Sequence, residues 1–440
     1  MMFDLATLRA PAGALVLLIA GLAHAGTPIE SWTTVNGARV LFSPAPDLPM
    51  IDARVVFSAG SSRDSTLAGL AALTNGLLSE GAASWSADEL AERLDRVGAQ
   101  FSSGSLRDMA WVSIRSLAEP RYLDVAVENV SAVLSAPRFE AAAVERDRNR
   151  MLSVLKSEAQ SPGKIAEKAF YHVVYGDHPY GSPSNGTEQS LAAITRDDIK
   201  DFHSRYYVAR NAVIAIVGAL DRSQAEALAE RMIAGLPAGE PAPEIAPVPA
   251  AAAGRTEISH PSTQSHLYLG QTGMRRGDPD YFALFVGNHV LGGSGLVSLL
   301  AEEVREKRGL SYSVSSDFSP MQVEGPFETV LQTKNEQIGE AEQVARETIR
   351  AFIANGPSAA MLERSKKNIT GGFPLRIDSN AKKVQYLAMI GFYRLPLDWL
   401  DRFNERVDAV TAEQIRDAFR RRVDPDRFAT VVVGGAAGGG

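Results

Sequence analysis

The sequence predicts an α+β protein built from two homologous domains, each an antiparallel-rich sheet packed with helices. Three observations lead there. Strands alternate irregularly with long runs of helix, not in the strict strand–helix rhythm of a parallel sheet. The chain also repeats itself: Thr195, Ile199, Asp201, Val217 and Gly218 recur as Thr411, Ile415, Asp417, Val433 and Gly434 at one constant offset, and Glu145-Arg146 recurs nearly in step as Glu363-Arg364. A helix followed by a buried strand, twice at the same separation, means two units of one design. Finally, a single linker divides the chain. Residues 236–254 hold Pro237, Pro241, Pro243, Pro247 and Pro249, then an alanine run. Proline at that density has no place inside a helix or sheet and makes a semi-rigid spacer. The domains are therefore expected at 26–235 and 255–434, with a disordered glycine–alanine tail at 435–440.

In order, Arg39 to Ser43 and Ile51 to Ser58 read as strands, separated by Pro44, Pro46, Asp47 and Pro49. A helix is expected from about Leu67 to Ser79. Another starts after Ser86, which forms a capping box with Glu89 and carries Leu90, Leu94 and Val97 on one face. Phe101 to Ser105 and Met109 to Ser116 form a strand pair. Helices then run from Arg121 to about Phe170, broken near Pro137 and Pro162, and Asp177 to Gly181 is a loop. Thr195 to Arg205 is a helix, and Ala212 to Val217 a buried strand ending at Gly218. After the linker come a strand from His266 to Gly270 and a helix from Pro279 to Val290. A strand from Gly325 to Thr333 and a helix from Glu340 to Ile353 follow. More helix leads to Phe419, and the closing strand spans Phe428 to Val433.

The 440 residues are 45 % hydrophobic and 22 % charged, ordinary for a soluble globular chain. A net charge of -7 and the absence of any basic cluster argue against a nucleic-acid partner. With no cysteine, disulfides, thiol catalysis and thiolate metal sites are excluded. Arg9, an apolar run from Ala10 to Leu22 and then Ala23-His24-Ala25 read as a secretory signal peptide over residues 1–25. The apolar run is too short to cross a bilayer comfortably, so stable membrane insertion is not expected, the alternative being an uncleaved anchor. The mature chain is expected to start near Gly26.

The most informative stretch runs from Val290 to Phe318. Gly292, Gly293 and Gly295 open it, and a helix should follow with Leu296, Leu299, Leu300 and Val304 on its apolar face. Gly309 is the helix stop, and a strand runs from Leu310 to Phe318. Arg305 falls in the last helical turn and Tyr312 at the strand start. Such a corner can point both side chains into one space. Taken alone, a cation in a last turn serves the helix dipole, and a tyrosine entering a strand packs half-buried.

The whole run, however, closely resembles the C-terminal-domain motif of the pitrilysin-type metallopeptidases, the family of insulysin and mitochondrial processing peptidase. The resemblance covers essentially the whole mature chain and implies two related domains forming half of a clamshell. In that family an Arg and a Tyr at this spacing bind the substrate carbonyl across from a zinc held by the other domain. Arg305 and Tyr312 match those positions, whereas Arg308 does not fit the spacing.

The same resemblance locates a defect. The family's first domain carries the zinc motif H-x-x-E-H, with a further Glu ligand from a later helix. Between Gly69-Leu70-Ala71 and Leu77-Leu78, this chain has Ala72 and Gly76 where the two His belong and Asn75 where the Glu belongs. The later ligand falls near Ser153 or Val154, with Glu158 about one turn out of place. Zinc needs imidazole, thiolate or carboxylate, and a neutral amide cannot act as general base near pH 7. His172, His178, His203, His260, His266 and His289 offer no i,i+4 pair, and His260 and His266 lie about 20 Å apart if extended. No metal is therefore expected on this chain. No G-x-S-x-G elbow supports a serine triad either, since Gly293-Ser294-Gly295 lacks the strand–turn–helix frame.

The resemblance implies the non-zinc subunit of a heteromeric peptidase. Arg305 and Tyr312 would stabilise the oxyanion of a peptide substrate, and a zinc-bearing subunit of the same family would be the partner. Family context favours the periplasm. The competing readings are a catalytically silent peptide-binding or scaffold protein and, more remotely, a peptidase with a non-zinc mechanism.

Overall fold

The computed structural model describes residues 29–249 and 253–435; the leader read at 1–25 and the tail beyond 435 lie outside these residues. The first sheet contains β1 (Glu30–Thr33), β2 (Arg39–Pro44), β3 (Met50–Phe57), β4 (Gln100–Ser105), β5 (Ala110–Leu117) and β6 (Ala212–Gly218). Its spatial order is β1-β2-β6-β3-β5-β4. The second contains β7 (Gly254–His260), β8 (Gln264–Thr272), β9 (Ser313–Phe318), β10 (Pro326–Lys334) and β11 (Ala429–Gly435), in the order β7-β11-β8-β10-β9. With β1 set aside, the two orders are the same. In each, the opening strand pairs parallel with the last, as β2 does with β6 and β7 with β11. All other pairings are antiparallel. The repeat in the sequence is thus a repeat in topology.

The recurring residues have structural reasons. Thr195 and Thr411 are N-caps whose hydroxyls accept the N–H of Asp198 at 3.2 Å and of Gln414 at 3.1 Å. Gly218 and Gly434 sit in β6 and at the same place in β11, with φ of 155° and 152°. The capping box expected at Ser86 is present, Glu89 accepting the Ser86 N–H at 2.7 Å.

Each half lends a helix to the other. The Pro162–Tyr175 helix of the first half lies on β8 and β11, and the Asn380–Phe392 helix of the second half lies on β2, β3 and β6. This explains the unbroken apolar run of β6, which is covered on both faces. Ile214 and Ile216 pack into the first half's own core, with Phe42 and Val55. Ala215 and Val217 point the other way and share a cluster with Val384, Leu387 and Ala388 of the lent helix. On the second sheet, Phe170 and Val174 pack against Val431 and Val433. The two halves are therefore held together by core packing and not only by the linker, whose residues 237–249 carry no regular secondary structure.

Some elements were not anticipated: β1, β7, and the helices Glu188–Ala193 and Arg222–Met232. β7 begins on the last linker residue, Gly254, and β11 extends one residue into the expected tail, to Gly435. Among the described residues, no helix is long and apolar enough to cross a membrane.

Candidate functional site

The corner that carries Arg305 and Tyr312 is built by a wide helical turn and a glycine. Ala301–Glu306 is wound as a π-helix, with the Lys307 N–H reaching the Glu302 carbonyl at 3.0 Å, five residues back. Gly309, at φ 63°, donates to the Arg305 carbonyl at 2.8 Å and turns the chain. Leu310 and Ser311 are then buried, and the Ser311 hydroxyl lies 2.6 Å from the Ser313 carbonyl and 2.8 Å from the Gln332 carbonyl. Tyr312 sits between these anchored neighbours and β9, and it is 79 % exposed. The Arg305 guanidinium lies 5.0 Å from the centre of the Tyr312 ring, close enough for a cation–π contact.

The neighbouring cations are already committed. Lys307 pairs with Glu302 and Glu303 at 2.9 and 2.7 Å, and Arg308 with Glu303 at 2.7 Å. Arg305 has only a long contact, 3.5 Å, to the well-exposed Glu306. Of the three cations, it is the one with a guanidinium free to take a ligand. Its preferred ligand chemistry is an oxygen that carries or develops negative charge.

The apolar face expected of this helix is only partly formed. Leu300 and Val304 are buried and Leu299 is half-buried, but Leu296 is 64 % exposed and Val297 is also exposed. The chain from Gly295 to Val297 makes a separate tight turn instead of joining the helix, which swings Leu296 outward.

The slot helix is short, Leu70–Gly76. Asn75 is buried, and its amide donates to the Trp111 carbonyl at 3.3 Å and to the Tyr207 hydroxyl at 3.2 Å. It serves as a strut between β5 and the Tyr207 ring. A Cβ on Gly76 would stand 3.5 Å from Asp147 Oδ2 and 3.6 Å from an Arg150 nitrogen. Asp147 is the group that the sequence reading missed, since the positions expected there, Ser153, Val154 and Glu158, are all further along the same Ala141–Glu158 helix. Burial pushes its carboxyl above the usual range, while Arg150, at 3.1 Å, opposes that rise. Ala72 and Gly76 supply no donor atoms, and one carboxylate already paired with an arginine does not make a zinc site. Among the described residues, no group of three or more His, Asp or Glu side chains is placed to hold a metal ion.

Three histidines, His178, His203 and His289, make hydrogen bonds within the fold, and His172 is exposed. His178 is buried with Nε2 3.0 Å from the Ala246 carbonyl, pinning the linker. His203 contacts the Leu134 carbonyl at 2.9 Å, and burial pushes its pKa down to about 4. His260 and His266 do not share an extended strand: they lie on β7 and β8, either side of β11. They are close enough that His260 adds to burial in lowering the His266 pKa. His289 lies 2.6 Å from the Ser365 hydroxyl and 3.1 Å from Asn368. Ser365 is 5 % exposed in the middle of the Ala359–Gly372 helix, so this row ties two segments and does not present a nucleophile.

Comparison with known proteins matches two family profiles. Insulinase (Peptidase family M16) covers residues 39–188, and the Peptidase M16 inactive domain covers residues 193–369. The chain is 39 % identical to the crystal structure of a peptidase M16 inactive domain from Pseudomonas fluorescens. That likeness covers 92 % of this chain and 98 % of that one, with a TM-score of 0.90. An uncharacterized zinc protease of Bacillus subtilis is 25 % identical over 90 % of this chain and 96 % of its own length. A non-peptidase homolog from Helicobacter pylori is 23 % identical over 91 % and 93 %.

Proposed function

The chain belongs to peptidase family M16, the insulinase family, and we propose that it is a non-zinc subunit working beside a metal-bearing chain of that family. In this reading Arg305 and Tyr312 grip the carbonyl of a substrate peptide and stabilise its oxygen as negative charge develops. The metal belongs to the partner. The observation that carries the reading is the Arg305–Tyr312 pair itself, stacked at 5.0 Å with the tyrosine exposed, while Lys307 and Arg308 are tied to glutamates. The slot at Ala72, Asn75 and Gly76 supports the same division of labour, since it leaves the pair without a metal partner on its own chain.

Two donors aimed at a developing oxyanion are worth most in the transition state, and removing one costs on the order of 3 kcal/mol, roughly a hundredfold in turnover. The test is a peptidase assay on the purified chain, on a candidate zinc-bearing partner and on the mixture. The mixture should be active beyond the sum of its parts, and Tyr312→Phe should lower its turnover while co-purification stays intact. A Tyr312→Phe mixture as fast as the parent overturns the role of the pair. A mixture no more active than the partner alone favours the second reading, a silent scaffold or peptide-binding protein, for which the donor-less slot by itself argues. Location in the periplasm after removal of residues 1–25 is part of the proposal. N-terminal sequencing of the protein from fractionated cells should read a start near Gly26.

A further inference from the structure

We propose that the cleft where the two halves meet beneath the proline-rich linker binds a small multivalent oxyanion, a condensed phosphate or a polycarboxylate, held by Arg39, Arg63, Arg275, Arg276 and Arg394. The cleft is a cavity of about 1080 Å³. One wall comes from the first half, one from the second, and Pro241, Pro243 and Pro247 of the linker form a third. This volume suits a small ligand rather than a macromolecular surface.

Its charge is one-sided. Among the described residues, six arginines line it, and the only lining acid is Glu244. Arg210 is neutralised by Glu240 at 3.3 Å. Among the described residues, the other five make no ion pair with any carboxylate. Elsewhere in this acidic chain some part-buried arginines are paired, as Arg346 is with Glu342 at 3.0 Å and Arg422 with Asp278 at 2.9 Å, while Arg54 and Arg107 bond to a hydroxyl and to carbonyls instead. Asp108 stands behind Arg63, but its oxygens are already taken by the Tyr180 and Tyr393 hydroxyls and the Gln322 N–H.

The guanidiniums also act on one another. Burial pushes the Arg39 pKa down, and the charge of Arg394 beside it pushes it further. Like charges drawn together without a counterion destabilise each other, and a bound anion removes that cost. The Nε atoms of Arg63 and Arg276 are buried without a hydrogen-bond partner. Arg394 keeps its side chain at φ 53°, a left-handed position following the Asn380–Phe392 helix where glycine is the favoured residue.

Part of this charge serves the helix end: Arg39 donates to the Gly391 carbonyl at 3.3 Å, and a cation there suits the dipole. That role accounts for Arg39 and Arg394 but not for Arg63, whose Nη2 donates to the Ser58 hydroxyl at 2.8 Å, nor for the adjacent Arg275 and Arg276, which reach the cavity from a second segment. Guanidinium forks match phosphate and carboxylate oxygens in pairs. Because the walls belong to both halves, a bound anion braces them against each other.

The test uses the full chain and needs no peptidase partner. Pyrophosphate and citrate are each titrated by calorimetry, and melting is followed in both against potassium chloride at matched ionic strength. Saturable binding of either, with a rise in melting temperature beyond that in chloride, supports the site. Pyrophosphate alone identifies a phosphate ligand, and citrate alone a polycarboxylate. Arg394→Gln and Arg39→Gln should each weaken binding about tenfold, the loss of one charge-assisted contact. Arg275→Gln, at an exposed residue, should weaken binding in a normally folded chain even if Arg39→Gln misfolds. The proposal is overturned if neither anion does more than chloride, or if the Arg275→Gln and Arg394→Gln chains bind as tightly as the parent.

Discussion

Asp108 offers the sharpest test of how the two halves are held. It lies in the turn between β4 and β5 and is 2 % exposed. Its Oδ1 accepts from the Tyr180 hydroxyl of its own half, and Tyr180 in turn receives the Val323 N–H of the other half at 3.4 Å. Its Oδ2 accepts from the Gln322 N–H at 2.8 Å and the Tyr393 hydroxyl at 2.9 Å, both in the second half. Asp108→Ala strips the acceptor from three donors. Each orphaned donor costs about 1–3 kcal/mol, and water entering the vacated space recovers part, so a loss of about 3–5 kcal/mol is expected. Asp108→Asn keeps one acceptor but turns an amide N–H₂ toward a donor, for about 2–3 kcal/mol. Tyr393→Phe removes one donor and leaves the carboxylate two, costing about 1 kcal/mol. With an unfolding entropy of about 2.1 cal/mol/K per residue, 1 kcal/mol moves the melting point of a chain this long by only about 1 °C. Urea titration is therefore the better assay. A double-mutant cycle of Asp108→Asn with Tyr393→Phe isolates the bond between halves, with an expected coupling of about 1 kcal/mol. An Asp108→Ala chain within about 0.5 kcal/mol of the parent, the scatter of an ordinary surface substitution, would mean that Asp108 does not hold the halves together.

Two further expectations follow from the packing of the lent helices. Glu328 on β10 stands opposite Asp317 on β9, with Glu167 and Arg107 of the first half nearby, and its Oε2 is buried without a partner although the residue as a whole is half-buried. Burial, then Asp317 and Glu167, push its pKa from 4.5 up to about 7, with Arg107 opposing. A carboxyl raised in the folded state stabilises the fold fully below its unfolded pKa and loses that contribution as pH rises through the folded value. Glu328→Gln should therefore gain on the parent between about pH 5 and pH 8, by at most about 3 kcal/mol, and parallel stability–pH curves would count against this. At Gly391 a Cβ would meet Val213 Cγ1 at 2.5 Å and Leu41 Cδ1 at 2.7 Å. Gly391→Ala should destabilise by about 1–2 kcal/mol in urea, overpacking outweighing the gain in helix propensity, whereas a stabilised variant would mean that the helix does not lie this close to the sheet.

Much of the architecture could be read from sequence because its signals are local. Caps such as Ser86 and Thr195, and an apolar strand covered on both faces such as Ala212–Gly218, act within a few residues of themselves. The repeat came through for the same reason: Thr195 and Thr411 do the same capping job in each half. The Arg305–Tyr312 pair was also legible, since only a helix turn and Gly309 separate them. The neighbouring reading of Leu296 as a core residue failed there, because a π-helical turn and a separate tight turn replace regular α-helix, and periodicity assumes the regular winding.

Two units of one design, a slot without metal donors and a corner that joins an arginine to a tyrosine are all written in the linear chain. Each of these depends on residue identity within a short stretch, where covalent spacing controls distance. It took the packed fold to reveal that each half lends a helix to the other, that Asp147 stands beside Gly76, and that arginines from separate segments face one cleft. Those contacts join residues far apart in number, and their distances are set by how the sheets and helices pack, which no spacing along the backbone records.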